Sequence, residues 1–533
     1  MVLAARVEEE PSAPPFGEAT EAFDQLRQYL CSSEARKMSE SNLERELDRR
    51  GRELMRKLLK AHLGIRSPGE TTGPVRDAEG VERPERRDHE RNLETIFGTV
   101  QVRRTGYAAE GCESLHPLDA ALNLPTDLYS LEVRRRIAEA TASRSFEEAQ
   151  LDLSRHTGAE VPKRQAEELA ARAAQDFDAF YEARRAASAE AKEREGSVLV
   201  LSFDGKGVVM RREDLREATR KAAEGKDRRL KLLDRPTKGE KRNSKRMATV
   251  AAVYTVAPFV RTPEEFLQGL MPPQPHAKSK PAPIRPRPVA KRVWASLTKA
   301  PASVIAEAVA EAGRRDPGDS KSWVVLVDGA EHQLDLTEDG IEAHLTQATV
   351  IVDFIHVAEY VWKAAHAFHG NSDMERPDLE YWAWTRLREI LQGKASKVAG
   401  AMRRAATIAG FSAAHRKPVD TCADYLVKYA DYMQYDRYLA SGFPICTGVI
   451  EGACRYLVRD RMELTGARWR LKSAEAVRKL RALRASGDFD EYWTFHEARE
   501  YERNHTSRYA EGRVPDVIDP PDPDPRPRIR RVK

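Results

Sequence analysis

The sequence predicts an α/β protein, with a sheet of mixed parallel and antiparallel strands in mid-chain, flanked and interrupted by helix. Three observations predict it. Near-continuous apolar runs stand at Val198–Phe203, Met247–Val256, Trp323–Val327 and Ala348–Phe354, as strands buried on both faces require. Before and after them apolar residues recur at three- and four-residue spacing, the period of helix. The two patterns alternate along the middle of the chain, as they do where helices cover a sheet.

At 533 residues the chain has room for roughly two to four domains. The 89 Lys and Arg nearly balance 84 Asp and Glu, so local charge clusters carry more meaning than the net +5. Five cysteines (31, 112, 422, 446, 454) form no C-x-x-C pair, which argues against zinc fingers and disulfide frameworks and fits a reducing cytoplasm. The N-terminus lacks a signal pattern, and no apolar run approaches the ~20 residues of a membrane span, so no membrane partner is expected.

Taken in order, Pro- and Glu-rich residues 1–20 are expected to be disordered. Residues 21–92 read as a helical region and charged linker. Phe23, Leu26 and Leu30, then Leu43, Leu47, Leu54 and Leu58, mark helix from Ala22 to His62, Gly64 and Pro68 end it, and charge dominates 69–92. Region 93–190 opens with alternation around Phe97-Gly98, a small β-hairpin with Arg103 and Arg104 at its exposed end. Helix resumes from Ser130 to about Arg185. Within it, a short helix from Ser145, a turn at Gly158 and a helix opening near Pro162 with Lys163 and Arg164 in its first turn outline a DNA-binding helix-turn-helix. Two helices merely packed together would leave the same pattern.

The region 196–355 carries the sheet. Val198–Phe203 is strand, Gly205-Lys-Gly207 a tight turn and Val208–Met210 the start of a return strand. From Arg211 to Arg246 Lys and Arg outnumber acids about two to one, and 271–290 is Pro-rich. This basic, Pro-broken insert, 211–292, suits either an arm near phosphates or a solvated loop. Met247–Val256 is the third strand, helix covers about Ala290–Ala312, and Trp323–Val327, an amphipathic 331–345 and Ala348–Phe354 complete the series. Strand–strand–strand–helix–strand–helix–strand is the order of the ribonuclease-H-like fold. The expectation is an α/β ribonuclease-H-like catalytic domain with a mostly helical insertion (356–445), preceded by a helical N-terminal DNA-binding region. A C-terminal catalytic helix region, 446–500, and a disordered tail, 513–533, follow.

Three carboxylates sit beside glycines where the chain changes direction. Asp204 and Asp328 each end an apolar strand, and Glu451 opens a helical stretch. In the expected topology the first strand is central with the fourth beside it, so Asp204 and Asp328 point into one cleft. With Glu451 they could hold two Mg²⁺ or Mn²⁺ ions about 3.5–4 Å apart, the arrangement that activates attacking and leaving oxygens in phosphodiester chemistry. Taken singly, Asp-Gly also marks a hairpin turn and Glu451 could pair with Arg455. Asp353 and His356 form a D-x-x-H pair that either approaches a metal or phosphate or caps a helix. Arg455, Arg461 and Arg468 could grip phosphates, while Trp469 either stacks on an unpaired base or fills the core.

The blocks Asp204-Gly-Lys-Gly, Val327-Asp-Gly-Ala, Asp353-Phe-Ile-His and Thr447-Gly-Val-Ile-Glu-Gly-Ala-Cys-Arg, with Asp460-Arg-Met-Glu-Leu-Thr-Gly-Ala-Arg-Trp, resemble those of the ISKra-type insertion-sequence transposases. These are bacterial, Mutator-related members of the DDE class. Phe97-Gly-Thr-Val, Pro117-Leu-Asp-Ala, Tyr129-Ser and Ser145-Phe-Glu-Glu-Ala extend the resemblance over roughly residues 90–485. It implies cleavage at terminal inverted repeats and attack of the freed 3′-OH on target DNA. By position Asp204, Asp328 and Glu451 match the catalytic triad, and Asp353 with His356 the C/D-x-x-H motif. It also implies double-stranded DNA as partner, a homo-oligomer holding two ends, and a cytoplasmic, nucleoid-associated location. A nuclease of the same fold without strand transfer, and a transposase-derived DNA-binding regulator without catalysis, are the alternatives. Gly205-Lys-Gly lacks the G-x-x-x-x-G-K-[ST] pattern of a nucleotide-binding loop.

Overall fold

Alternation around Phe97-Gly98 produces two eleven-residue strands, β1 (Glu85–Thr95) and β2 (Gly98–Ala108), paired antiparallel from Glu85↔Ala108 to Thr95↔Gly98. They belong to the first of two units of the chain, Met1–Asp176 with Asp490–Lys533; the second is Phe177–Phe489. The computed structural model describes residues 15–186, 196–224, 244–270, 284–343, 347–369, 376–464 and 466–518.

In the first unit the expected single helical stretch is three helices, Gly17–Leu30, Ser33–Lys37 and Glu40–Ile65. Serine divides them: Ser32 accepts a hydrogen bond from the Ala35 amide and caps the second helix, and Ser39 precedes the third. The helix from Gly17 also corrects the expectation of disorder to residue 20; residues 1–14 lie outside the described residues. Leu59 and Leu63 pack on Leu93, Val100, Val102, Leu118 and Leu124. The charged stretch 69–92 is not a bare linker. Its Asp77 and Arg83 form a buried ion pair, and Val75 packs with Tyr107, Leu115 and Tyr509. Arg104, expected at an exposed end, instead pairs with Asp119, whereas Arg103 is exposed.

Helices Leu131–Ser143, Phe146–His156 and Lys163–Ala173 close around Val133, Ile137, Ala149, Leu153, Val161 and Leu169. Ser145 and Glu148 form a reciprocal capping box that starts the second of them. The C-terminal segment belongs to this unit, a correction to the expected 446–500 region. His496 and Arg503 bond Asp176, and Arg134 meets Glu500 at 3.0 Å. Order reaches into the expected tail as well, where Thr71 bridges Val517; residues 519–533 lie outside the described residues.

The second unit is built on a five-stranded sheet: β3 (Val198–Val209), β4 (Lys245–Val256), β5 (Val289–Ser296), β6 (Ser322–Val327) and β7 (Ala348–Val352). The spatial order is β5-β4-β3-β6-β7, antiparallel across β3–β4–β5 and parallel across β3–β6–β7. Leu199, Leu201, Phe203, Val250, Val293, Val324 and Ile351 are among its buried residues.

Two strand assignments differ from expectation, and they compensate. Gly205–Gly207 is not a turn; β3 runs straight through it, paired to β4 as far as Val209↔Lys245. The glycines are covered instead, since a Cβ at Gly207 would fall 2.8 Å from the Lys245 side chain. The expected helix from Ala290 is β5, whose Val293, Trp294 and Ala295 are buried, and the helix starts only at Pro301, a favoured first helical residue. Of the basic insert, Glu217–Glu224 is helical; residues 225–243 and 271–283 lie outside the described residues.

After β7 the chain is helical, through Phe354–His369, Arg376–Leu391, Ala395–Ile408, Ala413–Lys428 and Tyr435–Ala440. Gly448–Ala453 follows and continues as π-helix over Cys454–Arg459. Among the described residues no helix is long and apolar enough to cross a membrane.

Candidate functional site

Two neighbouring parallel strands position the first two acids. The β3–β6 ladder ends at Ser202↔Leu326, and the register continued by two residues sets Asp204 opposite Asp328. Side chains alternate along a strand, so the Asp204 carboxylate lies on the face of Ser202, while Asp328 stands just past the end of the neighbouring strand. Asp204 lies within β3 rather than at its end, but beyond the reach of β6, which leaves its side chain half-buried. Asp328 directly follows β6 and is half-buried too. Backbone amides fix both: the Gly205 N–H donates to Asp204 Oδ1 at 2.6 Å and the Ala330 N–H to Asp328 Oδ1 at 2.9 Å.

The third acid comes from the helix Gly448–Ala453. Cys454, one turn after Glu451, donates its thiol to Asp204 Oδ2 at 3.0 Å. Residues three apart lie on one side of a helix. Glu451 is therefore on the side of its helix that meets Asp204. Glu451 is exposed, yet desolvation by its surroundings, then the carboxylates of Asp353 and Asp204, raise its carboxyl above the ordinary 4.5, while His356 opposes them. Glu359, one turn beyond His356, adds to the rise. Burial, then Asp204, raises the Cys454 thiol and keeps it a protonated donor. Just after Glu451 the helix widens into the π-turn, a feature frequent at functional sites.

Asp353 and His356 separate in role. Asp353 is fully buried and caps the helix Phe354–His369 through the Ile355 amide at 3.0 Å. Its second oxygen accepts from the Thr447 hydroxyl. His356, in the first turn, is half-buried and close enough to lower the Glu451 pKa.

Among the described residues no Lys, Arg or His forms an ion pair with Asp204, Asp328 or Glu451. Nor do three His, Cys, Asp or Glu side chains converge closely enough to hold a metal ion. The donors nevertheless suit a hard divalent cation in chemistry, since all three are carboxylate oxygens. Binding an ion would require Cys454 to release Asp204 Oδ2 and the carboxylates to turn toward one another.

The basic residues divide. Lys163 and Arg164 are exposed at the start of their helix, paired with Glu147 and Glu168. Arg455 and Arg468 are exposed as well. Arg461 and Trp469 are not: both are buried, with the guanidinium 4.7 Å from the indole centroid and the indole N–H bonded to the Met462 carbonyl. Trp469 also bridges Met210 at the end of β3. Of the two roles open to Trp469 this is the core one, and it corrects the expected phosphate contact of Arg461, because the segment after the π-turn meets the end of β3.

Sequence reasoning missed Tyr425, whose hydroxyl donates to the Asp328 carbonyl at 3.0 Å. Nothing local marks it. Cys454 and Thr447 stood in the same block as Glu451, but their partners lie 250 and 94 residues away.

No protein-family model matches the chain, and a search of curated proteins finds no match.

Proposed function

We propose that the second unit is a ribonuclease-H-like phosphoryl-transfer domain and the chain a DDE transposase. It would cut DNA at terminal inverted repeats and join the freed 3′-OH to target DNA. The observations that carry the reading are the parallel β3–β6 ladder, whose last rung Ser202↔Leu326 stands two residues before both Asp204 and Asp328, and the Cys454–Asp204 hydrogen bond, which ties the Glu451 helix to β3. The sheet order β5-β4-β3-β6-β7, with the first strand central and the fourth beside it, supports the fold assignment. Two divalent cations, Mg²⁺ or Mn²⁺, would supply activation of the attacking oxygen and stabilisation of the leaving oxygen.

The chain's own residues would do the rest. Asp204 and Asp328 each hold one carboxylate oxygen on a backbone amide and would offer the other to the ions once Cys454 releases Asp204. Glu451, exposed on its helix, is the third donor, and a bound cation would oppose the desolvation and the Asp353 charge that raise its carboxyl. Lys163, Arg164, Arg455 and Arg468 are exposed cations suited to phosphates of double-stranded DNA. A homo-oligomer would hold the two ends together.

The test uses duplexes carrying inverted repeats found beside the gene. The wild-type chain should cleave and insert them in Mg²⁺ or Mn²⁺ and fail in Ca²⁺. Asp204→Asn should bind the same duplexes without cutting. Cleavage retained by Asp204→Asn would sink the assignment, and cleavage without insertion products would reduce the protein to a nuclease.

A further inference from the structure

The fully buried Asp353 touches three elements at once. Its backbone N–H donates to the Val327 carbonyl at 2.8 Å, the residue before Asp328. Its Oδ1 caps the helix that follows, and its Oδ2 accepts from Thr447, the residue that precedes the helix of Glu451. Thr447 carries the connection onward, because its carbonyl accepts from the Glu451 amide at 3.0 Å. From the end of β6 to Glu451 the path is thus three hydrogen bonds long, and both of its side chains are buried, Asp353 at 0% and Thr447 at 3% exposure.

The use made of the Thr447 hydroxyl is unusual for its position. A threonine before a helix ordinarily accepts from an amide in the first turn, but Thr447 makes no such cap. Its hydroxyl goes to Asp353 instead, so the helix gives up a local bond for a long-range one. A second link runs alongside, from the Phe354 N–H to the Ile445 carbonyl at 3.0 Å.

We propose that Asp353 and Thr447 are positioning residues, a buried strut that sets the Glu451 helix against the strand end carrying Asp328, and that Asp353 itself does not bind metal or DNA. The proposal deepens the phosphoryl-transfer reading, on which it rests for the importance of Glu451. It assigns different work to the two members of the D-x-x-H pair: Asp353 aligns, while His356 remains beside Glu451.

The strut can be read without DNA or metal through the chain's own cysteines. Cys454 rides on the Glu451 helix, buried and bonded to Asp204, and should alkylate slowly. Cys31 and Cys112 are exposed and set the fast limit, while the fully buried Cys422 gauges general loosening of the second unit. Thr447→Val keeps the side-chain shape and removes only the hydroxyl. It should speed alkylation of Cys454, followed per peptide by mass spectrometry, by about ten-fold, the equilibrium equivalent of one hydrogen bond to a charged group. Cys422 should stay unchanged, and Thr447→Ser should restore the slow rate. An unaltered Cys454 rate, a parallel rise at Cys422, or no rescue by serine each overturns the proposal. The expected labelling from a chain that nevertheless fails to cleave inverted-repeat DNA would leave the strut standing and count against the transposase reading alone.

Discussion

Gly329, directly after Asp328, offers a sharp test of how the helical segment holds the strand end. Its φ is +83°, a left-handed conformation that costs an L side chain about 1–2 kcal/mol. A Cβ there would stand 2.6 Å from the Tyr425 hydroxyl. The ring cannot easily retreat, because it is 8% exposed, stacked on Tyr360 with centroids 4.2 Å apart and bonded to the Asp328 carbonyl. Overpacking of this kind costs about 1–3 kcal/mol, so Gly329→Ala should destabilise by about 2–5 kcal/mol in total. Thermal melting of the second unit should fall by at least about 3 °C. Tyr425→Phe alone should cost about 1 kcal/mol for the lost hydrogen bond. In the double variant the hydroxyl that the methyl would strike is absent, so the two penalties should sum to less than their separate values. Calorimetry on the four proteins decides it. A Gly329→Ala chain that melts with the wild type, or strict additivity in the cycle, would refute the claim that Tyr425 braces the Asp328 turn.

Other outcomes follow from the charges. Because the Glu451 carboxyl is raised when folded, its stability contribution is fully present below the ordinary 4.5 and is lost as pH rises through the folded value. Glu451→Gln should therefore melt above the wild type at pH 7.5 and converge with it near pH 4, and Mg²⁺ should raise the melting temperature of the wild type more than that of the variant. Burial pushes Asp176 up, yet hydrogen bonds from His496 and Arg503 outweigh it and hold the carboxyl at about 2. That stability is present above the ordinary 3.8 and lost as pH falls through about 2. Asp176→Asn should cost about 3 kcal/mol at pH 7, with a deficit that narrows on acidification. Replacing Lys163 and Arg164 together by alanine should weaken binding to any duplex and lower the salt slope by about 2, measured by anisotropy titration across ionic strengths.

How far the chain could be read without its fold is clear at particular residues. The runs Val198–Phe203, Met247–Val256, Trp323–Val327 and Ala348–Phe354 announced strands because burial on both faces leaves no polar alternation to confuse the period. Val289–Ser296 hid, since Lys291 and Arg292 interrupt it and only pairing with β4 turns it into strand. The glycines of Gly205-Lys-Gly207 misled for a similar reason: a turn and a covered strand look alike until Lys245 and Met247 are seen above them. Arg461 read as a phosphate contact and Trp469 as either a stacking or a core residue, because basic and aromatic residues in sequence resemble a nucleic-acid surface. Their burial follows from the docking of the segment along β3.

Local chemistry thus determined where most of the apolar strands lie and that Asp204, Asp328 and Glu451 were the acids to watch. These depend on neighbours a few residues away, which the order of amino acids contains directly. What the tertiary structure alone decided is which side chains meet: Asp204 with Cys454, Asp328 with Tyr425, Asp353 with Thr447. Each pair is separated by about a hundred residues or more, and its geometry is set by strand register and helix docking, quantities that belong to the whole packed unit.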